Sequence, residues 1–292
     1  MKNLKNLTAI IVTYQTPKKL INNCIKSIDK SVKILIIENS KNFEHEKYFK
    51  KKFPKIKIVC SGSNLGYGKG NNLGLKLTKT NYALILNPDI ICEKKFFNNL
   101  SKIINKKINF NIMGCQYLKD KIFMPAGYFD QNLNYEFKEK FYENKIKRLT
   151  KVEWVTGCSM LINLKKFKKK EIFDKNFFLY FEENDLFDRL RKANLKMFKI
   201  QNAFHYHTSI ESSSAVMENK DEKYYSYLLT GWHGQWSKFY YLKKYNGFFV
   251  AFLKCLPNVL MNLIQILPYI LLNPTKAKYK YFKIEGFICS LI

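Results

Sequence analysis

The chain has 292 residues, of which 47% are hydrophobic, so it can bury a large core in one domain, with or without an appendage. This composition excludes an intrinsically disordered protein. The 51 Lys and Arg residues against 23 Asp and Glu residues give a formal net charge of +28, which favours an anionic partner: nucleic acid, an acidic lipid surface or a phosphorylated small molecule. Lysines solvated on helix faces explain the same charge without any partner.

The cysteines and the first residues indicate a compartment. The seven cysteines form no CxxC pair and lie mostly inside apolar segments, which is typical of a reducing compartment. The apolar run at residues 9–12 is too short for the hydrophobic region of a signal peptide. We therefore expect a cytoplasmic protein, associated peripherally with the inner face of the cell membrane.

The first hundred residues alternate between predicted strands and predicted helices. Apolar and β-branched runs predict short strands, and amphipathic or lysine-rich segments predict helices between them. The strands are expected at residues 7–12, 32–37, 56–60 and 82–86. Alternation at this length predicts βαβ units, a parallel sheet and right-handed crossovers.

Polar residues with chemical uses follow the ends of these strands. They are Thr13, Tyr14, Glu38 and the run Asn87-Pro88-Asp89. A glycine-rich segment at 61–74 follows the third strand and opens a helix, where close backbone approach and free N–H groups favour anions. Parallel sheets bind ligands at this edge. The alternatives are an ordinary turn for the glycine segment and a helix or turn cap for Asp89.

These motifs, taken in order, resemble the nucleotide-sugar half of a family 2 glycosyltransferase with the GT-A fold. They are VTY (12–14), IIENS (36–40), NLGYGKGNNLG (64–74) and LNPD (86–89). The resemblance implies an α/β fold that is Rossmann-like, with a mostly parallel central sheet flanked by helices. It assigns residues 1–212 to a catalytic domain and leaves 213–292 as a helical, amphipathic C-terminal region.

The resemblance also implies roles for the donor-side residues. Thr13 and Tyr14 match the strand end near the nucleobase, and Glu38 matches a carboxylate that contacts the base or the ribose. The residues that match the nucleotide-facing loop are Asn64, Gly70 and Asn71.

The run Asn87-Pro88-Asp89 matches the DxD element of the family. Asp89 corresponds to its last aspartate, which holds Mg²⁺ or Mn²⁺ against the diphosphate of the donor. Asn87 replaces the first aspartate, as it does in the rhamnosyltransferase-like branch.

The segment 173–189 resembles the acceptor half of the same family. Glu183 stands where the family usually has the aspartate that acts as catalytic base, and Glu182 is expected to orient a loop or contact substrate. A base is needed because the attacking hydroxyl loses its proton as the glycosidic bond forms. Taken alone, the acidic residues 182, 183 and 185 are also explained as partners of a helix N-terminal dipole. His207 fits the family histidine that reaches the metal or the diphosphate, although Ile210 replaces a glycine of that pattern.

The C-terminal region is apolar and basic. Residues 248–272 are strongly apolar, but Pro257, Pro268 and several amides argue against a membrane span. Flanking lysines and tyrosines favour helices that lie at an anionic membrane surface. A helical homodimer interface or a cap on the catalytic core is the alternative.

Together these residues predict an inverting, metal-dependent transferase that moves a sugar from a UDP- or dTDP-linked donor to a lipid-linked surface glycan. Rhamnosyl transfer is the first subclass considered, and its only support is that residues 87–89 read Asn-Pro-Asp. A non-catalytic sugar-nucleotide-binding protein remains open because Asn87 and Glu183 depart from the commonest pattern. A basic nucleic-acid-binding protein is the third reading, although no RRM, KH, OB or helix-turn-helix signature is visible.

Overall fold

The computed structural model describes residues 4–106, 108–119, 122–123, 128–129, 135–136, 140–141, 149–207 and 220–292. The chain divides into two compact units. The first comprises residues 1–173 and 186–210, and the second comprises residues 174–185 and 211–292. Residues 174–185 therefore belong with the C-terminal region, whereas a boundary at residue 212 would assign them to the first domain.

The strands among the described residues belong to the first unit. They are β1 (Leu7–Thr13), β2 (Lys33–Glu38), β3 (Lys57–Cys60), β4 (Tyr82–Leu86), β5 (Ile90–Cys92), β6 (Ile112–Lys119), β7 (Ile122–Phe123), β8 (Tyr128–Phe129), β9 (Tyr135–Glu136), β10 (Lys140–Phe141), β11 (Leu149–Lys151), β12 (Ser159–Asn163) and β13 (Met197–His207). The four strands predicted in the first hundred residues are confirmed to within one residue at each end.

The helices are distributed over both units. They are α1 (Lys18–Ser27), α2 (Glu46–Lys52), α3 (Gly66–Leu77), α4 (Phe96–Asn105), α5 (Glu182–Lys192), α6 (Lys220–Asn246), α7 (Phe248–Leu272) and α8 (Pro274–Ser290), with a 3₁₀ turn at Leu164–Lys166. Helix α5 begins in the second unit and continues into the first, because the division falls between Asp185 and Leu186.

The central sheet has the order β10-β11-β13-β6-β12-β4-β1-β2-β3. The strands β4, β1, β2 and β3 are parallel, whereas β12 runs antiparallel between β4 and β6. The crossovers through α1, α2 and α3 put the carboxyl ends of β1, β2 and β4 at one edge. This edge is the place where the predicted donor-side residues gather.

The parallel part of the sheet is buried on both faces. Ile10 of β1 and Ile85 of β4 lie in one apolar cluster, whereas Ile11 and Leu84 lie in the other. Side chains alternate between faces along a strand, so a continuous apolar run fills both layers. These runs are stable as strands because each apolar side chain packs in one of the two clusters.

The helices α6, α7 and α8 form the core of the second unit. A Cβ atom at Gly286 would lie 2.3 Å from the carbonyl oxygen of Trp232, so α6 and α8 cross at a distance that only glycine allows. Helix α7 is continuous over its whole length, with Pro257 and Pro268 inside it. Gly247, with φ of +82°, separates α6 from α7 in a conformation that favours glycine.

Candidate active site

A hydrogen-bonded pair lies where β1 and β2 end. The ladder pairs Thr13 with Glu38, and the Thr13 hydroxyl donates to Glu38 Oε2 over 2.6 Å. Both side chains are buried. Burial raises the pKa of the Glu38 carboxyl, although hydrogen bonds from Thr13, Ser40 and the backbone of Gln15 act in the opposite direction. The pair therefore presents a buried acceptor at the edge of the sheet, suited to a hydroxyl or N–H donor of a ligand.

The chain leaves β1 through a sharp turn next to this pair. Tyr14 is half-buried, and its backbone N–H donates to Thr16 Oγ1 over 3.3 Å. Gln15 has φ of +47°, in the left-handed region that non-glycine residues seldom adopt. The turn keeps Tyr14 beside the strand end instead of continuing the sheet.

The glycine-rich segment forms a turn and then α3. Gly62 and Gly66 have φ of +86° and +77°, a backbone conformation that favours glycine. The exposed Asn64 accepts the Gly66 N–H at 3.0 Å, and Asn39 Nδ2 donates to the Gly66 carbonyl at 2.9 Å. Asn39, next to Glu38, thus connects the end of β2 to the start of α3.

Two glycines of α3 allow the helix to lie directly on the sheet. A Cβ atom at Gly70 would lie 2.9 Å from Val12 Cγ1, and one at Gly74 would lie 2.4 Å from Ile10 Cγ2. Asn71 is fully buried; its Nδ2 donates to the Tyr67 carbonyl, and its Oδ1 accepts no hydrogen bond from any described residue. Gly70 is therefore a packing residue in this structure, and the Asn71 amide oxygen is a buried acceptor next to the loop.

The run after β4 forms a tight turn. The Ile90 N–H donates to the Asn87 carbonyl over 3.2 Å, with Pro88 between them, and the Asn87 N–H donates to the Cys158 carbonyl over 3.0 Å. Asp89 is 9% exposed. Burial, and then the charge of Asp89, raise the pKa of the Cys24 thiol. The turn thus holds one carboxylate at the same edge as Thr13 and Glu38.

Strand β13 runs beside this turn because it pairs with β5. In that ladder the backbone of His207 lies opposite Ile90, the residue after Asp89. The His207 side chain lies outside the described residues, as does the pattern 208–212. The other histidine of the strand, His205, is fully buried, with Nε2 3.7 Å from Cys158 Sγ and its ring edge-on to Phe96.

Two adjacent carboxylates open α5 in the second unit. Glu182 is buried and Glu183 is half-buried. Burial raises the pKa of both carboxyls, and the charge of Glu183 raises that of Glu182 further. Among the described residues, Glu182 Oε2 has no hydrogen-bond partner. A carboxyl with a raised pKa is a stronger base once it is ionised, which suits it to accept a proton near neutral pH.

The residues before this pair have a strained backbone. Tyr180 and Phe181 have φ of +69° and +63°, and the left-handed region is an outlier for bulky side chains. Consecutive residues of this kind persist only where the surroundings hold them, and they are concentrated at functional sites. The structure thus marks the start of α5 independently of its acidic residues.

Within the described part of the chain, His, Cys, Asp and Glu side chains form no cluster of three or more that could hold a metal ion. Asp89 instead offers one hard oxygen ligand at the sheet edge. Mg²⁺ is commonly held by one or two carboxylates together with substrate phosphates. The residues present fit a divalent ion of this type, which is completed by a diphosphate, and they do not fit a cage made of protein ligands alone.

Some residues of this region were not identified from the sequence. Asn39 is buried and holds the glycine turn, and the IIENS motif that contains it was the available signal. Cys158 contributes its carbonyl to the turn after β4, and Tyr67 donates from its hydroxyl to the Gly157 carbonyl over 2.7 Å. The contacts of Cys158 and Tyr67 join residues 71 and 90 positions apart, and no local pattern predicts them.

Comparison with known proteins gives two kinds of match. The profile described as Glycosyl transferase family 2 matches residues 8–170, a range that contains all the donor-side residues and ends before Glu182. The low-salt glycan biosynthesis hexosyltransferase Agl10 of Haloferax volcanii is 25% identical over 208 residues, which are 68% of this chain and 66% of that protein. The rhamnosyltransferase WbbL of Escherichia coli is 26% identical over 214 residues, which are 64% of this chain and 76% of that protein.

A solved structure shares the fold. The crystal structure of GalNAc-T7 with UDP, GalNAc and Mn²⁺ superposes with a TM-score of 0.57, over 80% of this chain and 51% of that chain, at 12% identity. The likeness confirms the GT-A fold that the sequence motifs predict. At this identity it shows the fold alone.

Proposed function

Because the chain belongs to glycosyl transferase family 2, we propose that it is an inverting, metal-dependent enzyme that transfers a sugar from a nucleoside-diphosphate sugar to a glycan acceptor. The observation that carries the proposal is the sheet edge, where the Thr13–Glu38 pair and the Asp89 turn follow neighbouring parallel strands. Relatives named as a hexosyltransferase and a rhamnosyltransferase support the class of reaction.

The donor nucleotide is proposed to bind at this edge. Glu38 would accept a hydrogen bond from the base or the ribose, because its carboxylate is buried and lies beside a hydroxyl at a strand end. Tyr14 would contact the base, and Asn64 and Asn71 would face the nucleotide from the glycine segment. UDP and dTDP are the nucleotides proposed first, and rhamnose is proposed as a donor sugar on the form of residues 87–89 and the likeness to WbbL.

Asp89 is proposed to hold Mg²⁺ or Mn²⁺, with Asn87 beside it and His207 as a further candidate. When bound, such an ion neutralises charge that develops on the leaving diphosphate. Two observations support the assignment: Asp89 is a buried carboxylate at the ligand-binding edge, and the related fold in GalNAc-T7 was solved with UDP and Mn²⁺.

Glu183 is proposed as the catalytic base. The acceptor hydroxyl oxygen bonds to the anomeric carbon, the bond from that carbon to the diphosphate oxygen breaks with its electron pair, and Glu183 takes the hydroxyl proton. Attack from the face opposite the leaving group inverts the configuration. Glu182 is more deeply buried, the charge of Glu183 raises the pKa of its carboxyl further, and it is proposed to orient the segment.

A thermal-shift and turnover experiment tests the transferase assignment. UDP-, dTDP- and GDP-sugars are compared with and without Mn²⁺ or Mg²⁺, and release of the nucleoside diphosphate is measured for the wild type, Asp89→Asn and Glu183→Gln. Stabilisation by one nucleotide class only with metal, and release that both substitutions abolish, support the proposal. Donor binding with no release under any condition would instead support a non-catalytic sugar-nucleotide-binding protein, and retention on random DNA without donor binding would support a nucleic-acid-binding protein.

The acceptor is proposed to be linked to lipid at an anionic membrane, because α7 presents an apolar face outward. The apolar outward residues of α7, all exposed, are Phe249, Val250, Leu253, Pro257, Leu260, Met261, Ile264, Leu267, Pro268 and Leu271, and the exposed Lys254 lies at the edge of this face. At 100° per residue they share one side of the helix. The polar residues of α7 lie on the flanks or face inward, and Asn262 is buried. This arrangement is the reverse of that on a solvent-exposed helix.

By length and composition, α7 is the helix among the described residues that could cross a membrane. Its inward side packs on the other two helices, since Ala251, Cys255 and Val259 share a buried cluster with residues of α6 and α8. A span would therefore bring the lysines of α8 into the hydrocarbon region. A helix lying in the plane of the interface avoids this cost.

Charge favours a lipid surface over a second copy of the chain. Residues 224–292 contain eight lysines and one glutamate, so two such surfaces would repel each other, whereas anionic headgroups attract each lysine by about 1 kcal/mol. Lys276, on the helix that follows α7, also lies over the Tyr269 ring at 5.6 Å. Tyrosines and lysines beside an apolar face are typical of interfacial helices.

Sedimentation with vesicles tests this second proposal on the full chain. We expect binding to phosphatidylglycerol-containing vesicles that weakens with salt, and a loss of about tenfold or more for Ile264→Glu with Leu271→Glu, since each removes a large apolar side chain from the lipid. Leu195→Glu, an exposed leucine of the first unit, is the matched control. Absence of vesicle binding together with a concentration-dependent dimer that the same double substitution abolishes would replace the membrane with a homodimer interface.

A further inference from the structure

One face of the C-terminal half of α6 contacts the acid-bearing segment. The segment is residues 174–185, which end with Glu182, Glu183 and Asp185. The residues of α6 that contact it are His233, Ser237, Tyr240, Tyr241, Lys244 and Tyr245. Their spacing of three or four residues places them on one side of the helix.

The middle of the segment is held by a side-chain-to-backbone hydrogen bond and by contacts between aromatic rings. Ser237 Oγ donates to the Leu179 carbonyl over 2.8 Å. The Phe178 ring stacks on His233 with centroids 4.5 Å apart, and Phe181 packs against Tyr241 at 5.4 Å. These contacts lie on both sides of the left-handed residue Tyr180, so α6 holds the strained turn from which α5 starts.

Lys244 joins the two ends of the segment. Its Nζ donates to Asp174 Oδ2 over 2.7 Å and also to Asp185 Oδ1. Tyr245 donates from its hydroxyl to the same Asp185 oxygen over 2.8 Å. Asp185 is fully buried, so its carboxylate depends on these donors, because an ionised group in such a place is costly without partners.

We propose that α6 is the positioning element for Glu182 and Glu183, and that Lys244 is its principal positioning residue. The proposal rests on the transferase function, and it makes the C-terminal helices part of the catalytic apparatus. Lys244 does not act on the substrate. It fixes Asp185, two residues after Glu183 on the first turn of α5, and thereby the direction in which the Glu183 carboxylate points.

The charges around the segment agree with this role. The ionisable groups facing it are Glu182 and Glu183 themselves, Asp174 and Asp185, and from α6 His233, Tyr240, Tyr241, Lys244 and Tyr245. Lys244 hydrogen-bonds to two carboxylates here, and its pKa is raised by both of them, despite the opposing effect of burial. It therefore stays charged throughout the neutral range.

The test uses the full chain and the substitution Lys244→Met. We expect the kcat for nucleoside diphosphate release to fall by about tenfold or more, because small misplacements of a reacting group have effects of this size or larger, while the donor Kd stays within about twofold. Lys244→Arg keeps the charge and both hydrogen bonds and should recover most of the kcat. Adding Asp185→Asn to Lys244→Met removes the buried charge that has lost its Lys244 partner and keeps only the remaining hydrogen bonds, and it should recover part of the kcat.

Lys243→Met is the matched control, since both lysines are exposed and Lys243 lies over the Phe248 ring instead of the segment. Equal kcat values for Lys243→Met and Lys244→Met would overturn the proposal. So would a fall in kcat for Lys244→Met that comes with a matching loss of donor affinity and is not recovered by Lys244→Arg, because that pattern indicates general loss of folding.

Hydrogen–deuterium exchange separates this proposal from the transferase assignment. In Lys244→Met, amides of residues 176–187 should exchange faster, while those of β1, β2 and β4 stay unchanged. This readout needs no turnover, so failure of the wild type to release nucleotide would remove the proposed function and leave the positioning role measurable. Unchanged exchange in residues 176–187 would overturn the positioning role even in an active enzyme.

Discussion

Two carboxylate sites in this protein are built in opposite ways. Glu38 lies at the end of β2, beside the end of β1. Its main hydrogen-bond partner, Thr13, is the residue opposite it in the β1–β2 ladder. Glu182 and Glu183 follow a strained turn. The contacts that hold this turn and the start of α5 come from residues of α6, which lie some 60 to 70 positions further along the chain. The first kind of site is a property of the sheet. The second exists only if a separate helix bundle has folded around it.

The electrostatics of the two sites differ in the same sense. Burial raises the pKa at both, but donors oppose that effect at Glu38, whereas a like charge adds to it at Glu182. A carboxylate surrounded by donors is suited to binding, and a carboxylate next to another is suited to proton transfer. The contrast predicts separate kinetic signatures for the two sites.

The largest effect is expected at the donor side, from Asp89→Asn. Loss of the carboxylate proposed to hold the metal should lower the rate of nucleoside diphosphate release by about 10³-fold, since a bound ion contributes several kcal/mol. It should also abolish metal-dependent stabilisation by the donor, measured by thermal shift. Asp29→Asn, in the turn after α1, is the control. Equal stabilisation by the donor in EDTA and in Mn²⁺ would contradict the assignment.

The acceptor side should show a smaller effect on rate and a clear pH signature. Glu183→Gln should lower kcat by about 10²- to 10⁴-fold, the usual contribution of a general base, with donor affinity retained. Glu183→Asp keeps a carboxylate and should retain more activity than Glu183→Gln. A fall in donor affinity equal to the fall in kcat would place Glu183 in binding and remove the contrast between the sites.

The pH profile of kcat sharpens this prediction. A base is active when it is ionised, so kcat should rise with pH through the raised pKa of the Glu182–Glu183 pair and then level off. Burial alone raises the pKa of the Glu183 carboxyl, so the rise in kcat should stay at the same pH in Glu182→Gln. A rise that moves to lower pH in Glu182→Gln would show that the charge of Glu182 also acts on Glu183.

The position of Thr13, Glu38 and Asp89 at one edge of the sheet could be predicted from the sequence because each depends on a local pattern. Thr13, Glu38 and Asp89 each follow an apolar run that forms a buried strand, and parallel topology gathers strand ends without further information. Gly70 was placed in the nucleotide-facing loop, whereas the structure packs it against Val12. Glycine patterns do not distinguish a ligand contact from a close helix–sheet contact, since both require the absence of a Cβ atom.

The structural surroundings of Glu182 and Glu183 could be predicted only in part. The acidic pair at a helix start was visible, but the left-handed Tyr180 and Phe181 were not, because aromatic residues carry no sequence signal for that conformation. Lys244 lies among many lysines of a basic region, and nothing local separates it from Lys243. Its role depends on a fold that brings residues 174, 185 and 244 together.

Glu38→Gln should weaken donor binding and leave kcat nearly unchanged, which would identify Glu38 as a binding residue. The amide keeps the shape and still accepts the Thr13 hydrogen bond, but the charged acceptor is lost, a change of about 1.5 to 3 kcal/mol if it bonds the donor. We expect the donor KM or Kd to rise by about tenfold or more, with kcat at saturating donor nearly unchanged. A lower kcat at unchanged KM would assign Glu38 to the chemical step and reverse the comparison.

The smallest effect is expected on stability, from Glu182→Gln. Folding raises the pKa of the Glu182 carboxyl, so the protonated folded state is favoured, and this contribution is lost as pH rises through the folded pKa. The variant carries no charge to desolvate, so its melting temperature should match that of the wild type near pH 5 and exceed it by about 2 to 4 °C near pH 9, or roughly 1 kcal/mol. Glu44→Gln, an exposed carboxylate, should show no such trend. A difference in melting temperature between Glu182→Gln and the wild type that stays constant with pH would mean that ionising Glu182 does not destabilise the folded state. The electrostatics of Glu182 would then resemble those of Glu38 more closely than the structure indicates.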